Sequence, residues 1–474
     1  MIALASVSPL LFVVGLSAVW RRPAFVSAWC GVAVVIALIL LLPAMHPPAD
    51  RLVSGLGAAG LITTQALCVI LPGLLLNELI GAAHTNDRLV AWVGQIPMRP
   101  AHKVILIVVG LAPALESLTG FGVSLLVTVP LLLAPGPRGA ARRQAMLGMN
   151  IMPWGTLGLA TVVGAQLGHQ DLGALGLQTA VVSGAIFPAL GLAAAWLAAP
   201  RGERLAAALQ GALAGAVLSA VLIAINRAGI VELGGILAGL GSCAACLLLF
   251  GRRGVSGPPP WPALAPYGVV LGLVLVIRTL PAVGVPLSSV VITAGGVHFL
   301  PLASPGLALL VAALVFARGR PDRRAVHAAL QRGSRPLLAL AGFTVMAQLM
   351  VASGMVRAVG SALPASGSAA LAPMSAVLGV ASGYLTGSNV GGNALMMTLQ
   401  ANLVPDHSLI FAALQNSAAG HAVFASMPIV LLVLAISGGA RPGEEAGMIR
   451  FGLSMAALIA AIVAIAGSLM LLAG

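Results

Sequence analysis

The chain has 474 residues, of which 59% are hydrophobic and only 7% charged, too few charges to cover the surface of a soluble protein. Its net charge of +13 rests on one lysine, Lys103, and many arginines. These sit in short loops between apolar runs, which argues against nucleic acid as a partner and for arginines that set orientation in a membrane. The class that remains is all-α: a polytopic transmembrane helical bundle of about 12 spans with lipid around it.

Residues 3–20 and 24–43 are each long enough to cross a hydrocarbon core of about 30 Å. No basic segment precedes the first and no clear cleavage site follows it, so it reads as a retained helix. Arg21 and Arg22 place its far end inside, and Arg88, Arg99 and Lys103 mark the inside again two helices later. The next apolar stretch, 104–134, is interrupted at Leu115-Glu116-Ser117-Leu118-Thr119-Gly120-Phe121-Gly122 and followed by Arg138, Arg142 and Arg143. Basic flanks on both sides predict a hairpin that enters and leaves on the cytoplasmic face. Such a broken backbone is tolerated only where protein or a water-filled cavity surrounds it.

The run 172–199 reads as one further span. Inside markers return at Arg201 and Arg204 and at Arg252 and Arg253, in the short linker 251–260. They return most strongly from Arg318 to Arg335. Residues 336–355 then cross outward. The stretch 371–403 is broken at Ser382-Gly383-Tyr384-Leu385-Thr386-Gly387-Ser388-Asn389-Val390-Gly391-Gly392-Asn393, and its flanks are nearly free of arginine. This second hairpin is predicted to enter from outside. Residues 407–436 return inward, and 451–472 form the last span.

Thr119-Gly120 and Thr386-Gly387 hold equivalent places in the two interrupted stretches, and an asparagine, Asn150 or Asn416, follows each. The chain is thus expected to be one integral membrane domain, 1–474, containing an inverted-topology repeat. Repeat 1 is 52–200 with hairpin 104–134; the core of repeat 2 is 336–440 with hairpin 371–403. Broken segments of this kind meet near the midplane and form transport sites.

The polar residues at the breaks carry the functional expectation. Gly120, Gly122, Gly387 and Gly420 allow close backbone approach. Freed N–H groups at a half-helix start suit a carboxylate. Thr119, Thr386, Ser388, Asn389, Asn393, Asn150 and Asn416 add hydroxyl and amide partners. Scattered glycines such as Gly158 read instead as packing positions. Glu116, deep in an apolar stretch, carries an insertion cost of about 2.5–3.5 kcal/mol and is the candidate for proton coupling. A carboxylate bonded to its own hairpin is the alternative. His421 is a second candidate for coupling, beside the reading of a hydrogen-bonded structural histidine. Asn150, Trp154, Gln166 and Gln178 are expected on polar faces of the first half. Glu78 reads as facing a loop, and Arg278 and Arg357 as reaching the interface. His298, in a short proline-bounded segment, has no assigned role. Cys243 and Cys246 have redox spacing, but they lack a second ligand pair and read as buried apolar residues. No cofactor or metal is expected.

The interrupted stretches resemble the lactate permease family of bacterial organic-acid transporters. Leu115-Glu116-Ser117-Leu118-Thr119-Gly120-Phe121-Gly122 is similar to that family's Leu-Glu-Gly-Ala-Ala-Gly-Phe-Gly. Leu385-Thr386-Gly387-Ser388-Asn389 with Asn393-Ala394-Leu395 and Leu399-Gln400 is similar to its Leu-Thr-Gly-Ser-Asp, Asn-Ala-Leu and Leu-Gln. Asn416 and Gly420 fall where the family has an Ala-Asn stretch leading into Gly-Gly. The chain departs from the pattern at Asn389, which replaces an acid, and at Val423-Phe424-Ala425-Ser426-Met427-Pro428, which lacks the family's lysine and glutamine. The resemblance implies a bacterial inner-membrane, multi-pass secondary carrier moving a lactate- or glycolate-like monocarboxylate by proton symport. A sodium-coupled carrier of dicarboxylates or another small anion is the alternative, and a homo-oligomer is left open. An intramembrane enzyme fits less well because no His-Glu-x-x-His or Ser/His/Asp set is present. A passive channel is the remaining reading.

Overall fold

The fold was obtained as a computed structural model, which describes residues 2–251, 258–283, 285–362 and 368–473. Arg252 and Arg253, named above as inside markers, lie outside the described residues. The protein is a polytopic helical bundle. Among the described residues, ten helices are long and apolar enough to cross a membrane, or up to twelve if each bent helix pair counts as one span. The physical reason is the one composition predicts: in hydrocarbon every backbone N–H and C=O must be paired within its own segment.

The departure from pure helix is a two-stranded antiparallel ribbon, Ile292–Ala294 with Val297–Phe299. Its turn is Gly295-Gly296, with φ of 56° and 77°, the pair of left-handed residues that a tight two-residue hairpin demands. His298 lies on this ribbon and bonds Thr293 Oγ1 at 3.1 Å.

Both interrupted stretches fold as pairs of helices around a glycine turn. In the first, residues 100–119 form one helix with a π-turn at Ile107–Leu111. The chain reverses through Gly120, Phe121 and Gly122, all with positive φ, into Ser124–Leu133. Ten residues of helix rise about 15 Å, half a hydrocarbon core. In the second, Ser368–Thr386 turns at Gly387, φ 65°, into Asn389–Ala401.

Each hairpin is followed by a span that is itself broken. Arg138–Gly148 and Met152–Leu167 meet at 50°. Ser408–Ala422 passes through a 3-10 turn, Val423–Ala425, into Met427–Ile436. Proline explains both breaks in part: Pro153 and Pro428 stand at the first positions after them, where a missing N–H costs nothing. The run 172–199, expected as one straight span, is Leu172–Val182 and Ile186–Ala198 bent by 44° across a turn. The helices Ala49–Ala82 and Arg323–Ala352 pack along each other, and Arg332 bridges to Glu78 at 2.6 Å.

Candidate functional site

The two hairpin turns and the two span breaks come together around one cavity of about 310 Å³. Its wall includes Phe121 and Gly122 from the first turn, and Thr386, Gly387, Ser388 and Asn389 from the second. Met149, Met152, Gly155 and Thr156 come from the first break, and Val423, Pro428 and Ile429 from the second. The rest is mostly apolar, with the exposed Arg335 and Pro336 also in the lining. A small volume, an apolar wall and a few convergent polar groups are the usual composition of a small-molecule site.

The two turns differ in charge. At the first, the Glu116 carboxylate is fully buried and folds back on its own hairpin. Oε1 accepts the Gly122 N–H at 3.0 Å and Oε2 accepts the Ser124 hydroxyl at 2.7 Å. The positive start of Ser124–Leu133 is therefore matched by an anion the protein supplies. At the second turn no carboxylate is present among the described residues. Ser388 caps Asn389–Ala401, its hydroxyl accepting from the Gly391 N–H at 3.4 Å. The Asn389 and Val390 amides, at the first two helical positions, have no intrahelical acceptor. The Thr386 hydroxyl is held by the Ser382 and Ser388 carbonyls at 2.7 and 2.9 Å. Gly387 cannot be substituted freely, because a Cβ there would meet the Pro428 ring at 2.8 Å.

Behind the second turn lies a buried polar network. Asn416 Oδ1 accepts from Asn389 Nδ2 at 3.1 Å and Asn393 Nδ2 at 2.8 Å. Asn416 Nδ2 donates to Thr161 Oγ1 at 2.9 Å and Thr179 Oγ1 at 3.1 Å. Asn393 also donates to the Ala160 carbonyl at 2.9 Å. Second-half asparagines are thus tied to the helix after the first break. Gly420 makes this possible, since a Cβ there would strike Pro153 and the Asn389 amide.

Of the residues expected at the site, Gly122, Thr386, Gly387, Ser388 and Asn389 line the cavity. Asn393, Asn416 and Gly420 stand directly behind it. Gly120 backs onto Thr156. The Thr119 hydroxyl is satisfied by the Leu115 carbonyl at 2.7 Å. Asn150 Nδ2 donates to the Val108 and Leu147 carbonyls at 3.2 and 2.8 Å. His421 is fully buried away from the cavity, where Nε2 meets Ser183 Oγ at 3.0 Å and Phe187 stands edge-on to the ring.

The other polar residues separate further. Trp154 Nε1 donates to Asn226 Oδ1 at 3.0 Å. Gln166 bonds Gln65, and Gln178 faces Met470. Arg278 pairs with Glu232 rather than reaching out alone. Arg357 lines a separate cavity with Arg51 and Asn402.

Thr156 was not expected at the site, and Arg335 was read only as an inside marker. Thr156 and Leu157 hold left-handed conformations, φ/ψ of 50°/55° and 57°/41°, and Gly158 completes the turn at φ 74°. Gly158 is thus a turn residue and not simply a packing glycine. Each such buried non-glycine residue costs on the order of 1–3 kcal/mol and persists where surrounding packing compels it. The run Pro153-Trp154-Gly155-Thr156 between apolar stretches was the available signal.

The structure is a multi-pass helical bundle whose interrupted helices meet at one cavity. The L-lactate permease family model matches residues 269–473, which include the whole second hairpin and the span after it. Over those residues, less than half of the chain, it is similar to L-lactate permeases, and its long apolar helices are those of a multi-pass membrane protein. No curated protein matches the sequence significantly.

Proposed function

We propose that this protein is a secondary active carrier of a small 2-hydroxy monocarboxylate, lactate- or glycolate-like, coupled to protons. The observation that carries the proposal is the asymmetry of the two turns. Both present a helix start toward the centre, but the first is neutralised by Glu116 and the second opens on the cavity with uncharged Ser388 and Asn389. An anionic substrate supplies there the charge that Glu116 supplies opposite. Arg335, at the mouth, attracts the anion.

Glu116 has no cationic partner among the described residues, and both its bonds come from neutral donors. Taking a proton weakens its hold on Gly122 and Ser124 and so loosens the turn beside the substrate. That links protonation to access. The two halves, each with a long helix, a hairpin and a broken span, act as inverted repeats that move against each other. By the arginine count Arg335 lies on the cytoplasmic side.

Uptake of labelled lactate into proteoliposomes, with and without an imposed pH gradient, tests the reading. Saturable accumulation driven by an inward proton gradient is expected. Absence of uptake for every short 2-hydroxy acid overturns the substrate. Dependence on sodium, lost when choline replaces it, overturns the coupling ion.

A further inference from the structure

The network behind the second turn has a fixed polarity, and that polarity reaches the cavity wall. The Pro153 carbonyl can only accept, so the Thr161 hydroxyl, 2.7 Å away, donates to it. Thr161 must then accept from Asn416, which orients the Asn416 amide with its nitrogen toward Thr161 and Thr179. Asn416 Oδ1 is left as the acceptor for Asn389 and Asn393. Asn389 therefore turns its nitrogen inward to the network, and its Oδ1 is left as a buried acceptor with no partner. A chain of hydrogen bonds starting at one main-chain carbonyl decides which end of a cavity-lining amide is free.

Thr156 stands on the same cavity wall. Its hydroxyl makes no hydrogen bond within the protein among the described residues. The left-handed turn Thr156–Leu157–Gly158 places it there, and Gly120 has no side chain to block it. Around the second turn the Thr386 hydroxyl is engaged by two carbonyls, while Ser388 accepts from the Gly391 amide at 3.4 Å and keeps its own proton to donate. A free hydroxyl and an unpartnered acceptor oxygen are the pair that a hydroxyl-bearing ligand satisfies. A carbonyl oxygen at the same position leaves Asn389 Oδ1 unpaired, which is costly in a buried site.

We propose that Thr156 and Asn389 Oδ1 are the specificity-determining pair of this cavity, selecting a substrate with a hydroxyl beside its carboxylate over the oxo or unsubstituted analogue. The Pro153–Thr161–Asn416 chain acts as the positioning relay that holds Asn389 in the accepting orientation. The inference rests on the transport reading given above and adds to it how the site tells lactate from pyruvate and propionate.

The test measures competition by pyruvate and propionate against labelled lactate in proteoliposomes holding wild type, Thr156→Val, Thr156→Ser or Thr161→Val. Wild type should favour lactate over either competitor by at least about tenfold, the equivalent of one buried hydrogen bond. Thr156→Val removes the hydroxyl at constant volume and should cut the preference severalfold, while Thr156→Ser keeps it. Thr161→Val touches no substrate, yet it should erode the lactate-to-pyruvate preference by freeing Asn389 to turn over. A merely structural role would lower all uptake and leave the ratio alone. Unchanged ratios in both valine variants overturn this inference and leave the carrier reading standing. Wild type that takes up none of the three acids overturns the carrier reading and this inference with it.

Discussion

Replacing Glu116 separates its two roles. Its carboxylate is fully buried and satisfies two donors, the Gly122 N–H at 3.0 Å and the Ser124 hydroxyl at 2.7 Å. Glu116→Ala leaves the Gly122 N–H without an acceptor and the Ser124 hydroxyl with only the weak Met149 thioether at 3.4 Å, at about 1–3 kcal/mol for each weakened buried donor. Relief of the carboxylate's own burial cost, about 2.5–3.5 kcal/mol, offsets much of that. Those two contributions nearly cancel, at most about 3.5 kcal/mol of loss, and the cavity left by the shortened side chain adds a further cost that makes the net a destabilisation at the turn beside the cavity.

Glu116→Gln is different. Its amide oxygen still accepts from Gly122 and its nitrogen can donate to the Ser124 oxygen, so both contacts survive at neutral strength, about half that of a charge-assisted bond. The glutamine variant should therefore unfold within about 1 kcal/mol of wild type, and the alanine variant clearly below it. Thermal unfolding in detergent, followed by tryptophan fluorescence, orders the three. Proteoliposome uptake then asks about coupling: the glutamine variant should carry lactate down its own gradient and ignore an imposed pH difference. Alanine as stable as wild type refutes the staple. Uptake by the glutamine variant that still follows the proton gradient refutes the coupling.

Gly387→Ala forces a Cβ onto the Pro428 ring at a residue with φ of 65°, so uptake should fall at least tenfold at undiminished expression, as a membrane-fraction blot and a transport assay show together. Asn416→Ala removes the acceptor for two amides and the donor for two threonines, all buried, and should lower thermal stability by several kcal/mol, read by the same melting assay. Arg335→Gln at the exposed mouth should raise the apparent KM for lactate severalfold at low salt and scarcely at high salt, since an exposed charge acts through a screened field. A salt-independent defect would contradict that role.

The hairpins were legible because glycine and polar clusters inside apolar runs have one tolerable explanation in a membrane, a broken helix shielded by protein. The motifs around Glu116 and Thr386–Asn389 marked both turns, and the cavity forms between them. The break at Gly148–Gly155 was less visible, since Met149, Ile151 and Met152 keep the hydropathy high across it. Ser426-Met427-Pro428 hid a second break in the same way. Pro153 and Gly155 signalled a turn here, but not that Thr156 and Leu157 would be left-handed, because neither residue favours that conformation and only the packing around them compels it.

The amino-acid sequence alone determined that this is a multi-pass helical membrane protein, where its two helical hairpins turn, and the resemblance to lactate permeases. Those properties follow from local composition: apolar length sets a span, and glycine with polar neighbours sets a break. Tertiary structure decided which polar groups are already engaged. Glu116 is tied to its own turn, His421 to Ser183, and Asn416 to Thr161 and Thr179, while Thr156 and one oxygen of Asn389 stay free beside the cavity. For His421 and Asn416 the deciding hydrogen bonds cross more than two hundred positions, as between Asn416 and Thr161. Partners that distant along the chain are chosen by packing and leave no periodicity to read.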